Sequence, residues 1–284
     1  MRSKLANSVA RYLLLALFLF ILIGPLLWQF TLAFKGKGDD IYAVPPYVIP
    51  KDPTVSNFVE AFNRIPVLRY FANSLVVAAI GVAGNIVGST LAGYALARLK
   101  FRCKRLVTVL IFAAMLIPGE TLLISQFIIV KDLGLQNTLL GAALPGLCGA
   151  MNVLLMTNAF AGVPVELEEA GKVDGANIWQ RFLHICLPQV KGTMTVVAIF
   201  AFVGAWNAFL WPLIILGDDS VYTLTVGLNR LKNQFVSDPR LIAAGTVIAL
   251  VPIIVFFLTF QRHFFKGVEE GGIKGCRGAS PAGR

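Results

Sequence analysis

The chain has 284 residues, of which 57% are hydrophobic and only 14% charged, and its mean hydropathy is +0.74. A soluble domain carries about a quarter charged residues, so this composition excludes an ordinary soluble globule and indicates a membrane protein. The net charge of +10 does not point to nucleic acid, because the basic residues sit at segment ends instead of forming a patch interleaved with aromatics. On a polytopic membrane protein such charge reports topology.

Apolar stretches long enough to span a bilayer occur at 10–33, 71–93, 106–130, 138–161, 191–216 and 241–261. The first follows Arg2, Lys4 and Arg11 as a secretory signal would, yet the run continues to Phe34 without a small-residue cleavage site, so it reads as a retained helix. The expectation is an all-α integral membrane protein with six transmembrane helices. With the N-terminus in the cytoplasm, 16 basic residues fall on the inner side against 9 of the 25 outside, which places both termini and the 162–190 loop inside. This divides the chain into an N-terminus at 1–9, a six-helix domain at 10–265 and a tail at 266–284. The outer loop at 35–70 is rich in proline and is expected to carry a short helix over Val55 to Arg64. Its role is either a docking surface for an extracytoplasmic partner or a cap over the bundle.

Within the third span, Pro118-Gly119 should break the helix, which a bilayer tolerates only where the break is buried in protein or lines a cavity. Glu120 beside it is a candidate for the transport pathway or a partner contact; a protonated or internally hydrogen-bonded glutamate is the alternative. Asn152 and Asn158 in the fourth span, near Pro145, are candidate interhelical hydrogen-bonders. In the fifth span Asn207 and Trp211 are four apart and should share a face. An amide and an indole together suit a neutral polyhydroxylated ligand; packing around a kink at Pro212 is the competing account.

One stretch, Pro164 to Pro188, does not look like membrane. Pro164 can open a helix that places Glu166, Glu168 and Glu169 near its positive end, and Asp174-Gly175 should end it. A second helix is expected from Ala176, with Ile178, Phe182 and Ile185 on one face, stopping at Leu187-Pro188. Cys103, Cys148, Cys186 and Cys276 have no metal-ligand spacing with His184 or His263 and imply no disulfide framework.

The sequence Glu169-Ala170-Gly171, then Asp174-Gly175-Ala176, then Ile185-Cys186-Leu187-Pro188 resembles the EAA loop of permease subunits of ABC importers. Gly171 departs from the pattern, which usually has a second alanine. Gly93-Tyr94-Ala95-Leu96-Ala97-Arg98 with Phe101 is similar to the YALARxxF signature of carbohydrate ABC permeases, a cluster that charge anchoring at the membrane surface would also explain. Phe58, Phe62, Tyr70, Phe71, Asn73 and Ser74 resemble the pattern ahead of the second helix, Trp206 to Leu213 resembles WNxFLWPL, and Lys266 to Gly275 resembles the family's short tail. The chain is thereby identified as resembling carbohydrate ABC importer permeases of the MalG type.

That resemblance implies the MetI-like type I importer permease fold in a bacterial or archaeal plasma (inner) membrane. It implies a second six-helix permease, two copies of an ATPase subunit, an extracytoplasmic solute-binding protein and a sugar substrate as partners. It assigns ATPase coupling to Glu169, Ala170, Gly171, Asp174, Gly175 and Ala176. No phosphate-cradling loop or catalytic motif occurs in the chain, so no cofactor is expected on it, and ATP with Mg is expected in the partner ATPase. The alternative is a secondary transporter or channel half working without ATP, for which Glu120 is the one evident intramembrane carboxylate.

Overall fold

Backbone groups within a bilayer must be satisfied internally, and this chain satisfies them with helices. A computed structural model describes residues 2–232 and 238–272. In chain order the α-helices are α1 Arg2–Phe34, α2 Ser56–Arg64, α3 Val67–Arg98, α4 Lys104–Leu116, α5 Leu123–Asp132, α6 Leu139–Ala143, α7 Ala150–Ala161, α8 Val165–Val173, α9 Ile178–Gln180, α10 Leu187–Gln189, α11 Lys191–Asn207, α12 Leu210–Ile215, α13 Leu224–Asn229 and α14 Pro239–Gly272. Among the described residues there is no strand, only an isolated bridge between Lys35 and Pro53. Helix α14 runs into the expected tail as far as Gly272, while 273–284, with the expected extension from Cys276, lies outside the described residues.

Among the described residues, three helical stretches are long and apolar enough to cross a membrane: Arg11–Phe34, Val67–Arg98 and Pro239–Gln261. Three more qualify only as bent pairs: Lys104–Leu116 with Gly119–Asp132 at 101°, Leu139–Gly146 with Ala150–Ala161 at 51°, and Ile178–Gln189 with Lys191–Asn207 at 80°. The expected third and fourth spans are thus broken, and the remaining pair bends at Val190, between the 164–190 stretch and the expected fifth span. Ile117 is extended because the residue before a proline is pushed out of the helical region, and a 3-10 turn over Gly119–Leu122 follows. In the fifth span α11 ends at Asn207 and Ala208 leaves the helical conformation at ψ 126. The ring of Pro212 would collide with the carbonyl of residue 208 in an unbroken helix, so the chain yields there. Asn207 and Trp211 therefore do not share a helical face, contrary to expectation.

The chain forms two units by internal contact, residues 1–68 with 226–254, and residues 69–225 with 255–284. In the first unit, Leu32 and Ala33 of α1 pack with Ala243, Ala244 and Val247 of α14. Its 35–54 loop folds around Asp39, whose carboxylate accepts the backbone N–H of Lys51 (3.0 Å) and Asp52 (3.2 Å) and the Tyr47 hydroxyl (3.1 Å). Lys35 is 1% exposed: its ammonium donates to the Tyr47 carbonyl at 2.9 Å and lies over the Trp28 and Tyr47 rings. Asn57 of α2 donates to the carbonyls of Ala33 and Lys35, both at 2.9 Å, occupying acceptors at the end of α1.

In the second unit α3 is the axis. Asn85 at its middle uses its whole amide, donating to Gly81 (2.9 Å) and Gly146 (2.6 Å) and accepting from the Gly149 N–H (2.9 Å) and Asn152 (2.7 Å). It thereby ties the break ahead of α7 to α3. The backbones come close enough that a Cβ on Gly93 would lie 2.9 Å from the Thr157 nitrogen, a small-residue contact suited to helix association in lipid. At its beginning α3 holds the segment after α12: the Tyr70 hydroxyl bonds Asp219, Asn73 donates to the Ser220 and Tyr222 carbonyls at 2.9 Å each, and Ser74 accepts the Leu224 N–H at 2.7 Å.

Candidate functional site: the 164–190 hairpin

The polar stretch forms a helical hairpin. Pro164 caps α8, which begins one residue later than expected, at Val165, with Glu166 and Glu168 in its first turn. The turn is chemically specified on both sides. Gly175 sits at φ +79, Ala176 N–H reaches the Gly171 carbonyl at 2.9 Å and Gly175 N–H the Lys172 carbonyl at 3.1 Å, a Schellman closure. Asn177 then opens α9 with a capping box, its side chain accepting from Gln180 N–H at 2.9 Å while Gln180 Oε1 accepts from Asn177 N–H at 2.8 Å.

The second arm does not stop at Leu187-Pro188. It passes from α9 through a π turn over Arg181–Cys186 into α10 and bends only at Val190. In an α-helix Pro188 would leave a carbonyl unpaired and press on it, and the wider turn ahead relieves that conflict. Phe182 and Cys186 face inward, with Tyr94, Met156, Phe160 and Val197 in one cluster.

Gly171 is buried, and a Cβ there would run into Cδ1 of Ile185 from the opposite arm. The departure from alanine therefore has a packing counterpart: the missing methyl lets Ile185 close the hairpin.

The expected coupling residues divide by exposure. Glu169, Ala170, Asp174 and Gly175 are exposed, Ala176 is half-buried and Gly171 is buried. Around them Val173 (88% exposed), Trp179 (62%) and Leu183 stand open. Glu168, one residue before Glu169, turns inward. It accepts the Tyr94 hydroxyl at 2.8 Å, takes the Cys186 thiol at 3.8 Å and pairs with Arg98 at 3.7 Å, with Arg98 and Glu168 side chains 8% and 14% exposed. Arg98 also donates to the Phe160 carbonyl (3.0 and 2.6 Å), which accepts the Val163 N–H as well, and to the Val163 carbonyl just past the end of α7. A buried pair of this kind adds little net stability, but removing one partner costs about 3–5 kcal/mol. The charge-anchoring account of Arg98 thus gives way to a specific joint. Its signal was present in the sequence, since Tyr94 and Arg98 are four apart at the end of an apolar helix.

The other candidates are scattered. Glu120 is exposed on the turn between α4 and α5. Asn207 is exposed at the end of α11, whereas Trp211 is half-buried on α12 and donates its indole N–H to the Gly141 carbonyl at 3.2 Å. Asn152 makes the interhelical bond expected of it, to Asn85, while Asn158 is exposed. Among the described residues no group of three His, Cys, Asp or Glu could hold a metal, and Cys103, Cys148 and Cys186 are free.

Apolar spans joined to a polar, capped hairpin define an integral membrane protein with a structured polar projection. The model of the binding-protein-dependent transport system inner membrane component matches residues 84–270, and the chain belongs to that family. The arabinooligosaccharides transport system permease protein AraQ of Halalkalibacterium halodurans is 31% identical over 227 residues, 80% of this chain and 81% of its own length. The galactooligosaccharides transport system permease protein GanQ of Bacillus subtilis is 30% identical over 275 residues, covering 93% and 94%. Among solved structures, a chain of a bacterial ABC transporter involved in the import of the acidic polysaccharide alginate superposes with a TM-score of 0.79 at 22% identity, covering 93% of this chain and 98% of that one. At that identity the likeness is one of fold.

Proposed function

We propose that this chain is the permease subunit of an ATP-driven, binding-protein-dependent sugar importer, forming half of the translocation pathway with a second six-helix permease. The similarity to arabino- and galactooligosaccharide permeases supports the sugar class. All six spans cross the membrane, the third and fourth as bent helix pairs and the fifth through α11 and α12, with both termini and the hairpin in the cytoplasm. A solute-binding protein delivers sugar from outside, and Glu120, Asn207 and Trp211 remain the pathway candidates. Two copies of an ATPase subunit dock inside and supply Mg-bound ATP.

The observation that carries the coupling reading is the hairpin. Its turn is closed by two independent caps, yet it exposes Val173 and Trp179 beside Glu169 and Asp174, an apolar and acidic surface that a protein partner would cover. Closure of the ATPase pair moves the hairpin as a rigid body, and the bundle switches between two packings that open on opposite sides. Sugar uptake from a panel of radiolabelled mono- and disaccharides, measured in liposomes holding the assembled transporter, tests this. Asp174→Arg and Gly175→Trp reduce uptake to background while the chain still inserts. A variant that inserts, co-purifies with the ATPase and transports at the parental rate overturns the reading.

A further inference from the structure

We propose that α3 is the strut by which hairpin movement reaches the break at Ala208, with Glu168 as the positioning residue at its joint. This rests on the coupling reading above. The helix is unbroken over 32 residues, about 48 Å, while three pairs of successive helices elsewhere are bent. At one end Tyr94 and Arg98 hold Glu168 of the hairpin. At the other, Tyr70, Asn73 and Ser74 hold the 219–224 segment. Directly beyond that segment the Thr225 hydroxyl donates to the Ala208 carbonyl at 2.8 Å, at the break that separates Asn207 from Trp211. A displacement applied to the exposed face around Glu169 thus meets hydrogen-bonded joints at both ends of one straight helix. No other residue of α8 has a side-chain hydrogen bond or ion pair to α3 among the described residues. Glu168 faces away from the docking surface, so changing it leaves the ATPase contact in place and removes the joint.

The test compares uptake of the best-accumulated labelled disaccharide with ATP hydrolysis in the same liposomes. Glu168→Ala keeps the ATPase bound and hydrolysing, while sugar imported per ATP falls between about twofold and thirtyfold. Glu168→Gln, which still accepts the Tyr94 hydroxyl, recovers most of it. Tyr94→Phe keeps the ring packed on Phe160 and Phe182 and carries the test if Glu168→Ala fails to insert. If both joints serve one strut, Glu168→Ala with Asn73→Ala loses no more than the worse single variant; independent sites multiply their losses. In a Cys103→Ser, Cys148→Ser, Cys276→Ser background, Cys186 stays closed to maleimide through turnover and opens in Glu168→Ala. Multiplied losses, unchanged sugar-to-ATP ratios in both single variants, or maleimide labelling of parental Cys186 during turnover overturns the strut. Parental transport by Asp174→Arg overturns instead the coupling reading on which it rests.

Discussion

The 35–54 loop and the 164–190 hairpin are each organised around one inward-turned carboxylate, but the two carboxylates recruit different kinds of partner. Asp39 closes the 35–54 loop on itself: its carboxylate takes two backbone N–H groups and a hydroxyl from within 13 residues. Glu168 draws its partners from Tyr94, 74 residues away, and from Arg98 on the same long helix. The first arrangement closes a loop on itself, with Arg240 of α14 adding one bond to the Asp39 backbone carbonyl at 2.6 Å. The second makes a joint, because moving the hairpin without moving α3 would strand a buried carboxylate and a buried guanidinium. Local closure and long-range attachment are therefore distinguishable by what breaks when each is cut.

The largest effect is expected at Arg98→Ala. It strands Glu168 and takes the guanidinium donors away from the carbonyls of Phe160 and Val163, so the folded chain loses about 3–5 kcal/mol. Denaturant unfolding in detergent, followed by a fluorophore on the hairpin, measures it. Asp39→Asn should do less and do it locally: the N–H groups of Lys51 and Asp52 lose a charged acceptor, so trypsin cuts faster after Lys37 and Lys51 while hairpin stability is unchanged. If Asp39→Asn weakened the hairpin equally, the contrast would fail. A smaller effect is expected at Gly171→Ala. The alanine gains about 1 kcal/mol of helix propensity, and displacement of the flexible end of Ile185 offsets much of it. A softened hairpin from the native glycine predicts instead a clear gain in stability for the alanine variant.

Part of this arrangement was legible in local chemistry. Pro164 and Asp174-Gly175 delimited the first arm of the hairpin, and Pro118-Gly119 marked the bend, because each acts on its own few residues. The expected face of Ile178, Phe182 and Ile185 did not form: Ile178 is exposed, and the π turn brings Phe182 and Cys186 inward together. What stayed hidden depended on distant partners. Three glutamates in the first turns of α8 look alike in sequence; only the position of α3 decides that Glu168 turns inward and Glu169 outward. Arg98 looked like surface charge because its hydrogen-bond acceptors are backbone carbonyls, which every sequence has, and only its spacing of four from Tyr94 set it apart. The pairing of Asn207 with Trp211 failed for a reason the sequence did contain, since a proline acts four residues upstream and Pro212 therefore disturbs Ala208.

The smallest expected effect is that of pH on the 35–54 loop. Burial alone would raise the Asp39 pKa, but the N–H groups of Lys51 and Asp52 and the Tyr47 hydroxyl outweigh it and hold the carboxyl below its ordinary value. A carboxylate depressed in the folded state contributes stability that is fully present above its unfolded pKa and is lost as pH falls through the folded one. Titration from neutral pH into mild acid should therefore leave the loop closed, and opening should begin only below the ordinary carboxylate range. Amide exchange at Lys51 and Asp52, normalised to the intrinsic rate at each pH, reads this directly. Opening in mild acid would mean that Asp39 is not the residue closing the loop, and the contrast between a loop closed on itself and a hairpin joined to α3 would lose its first half.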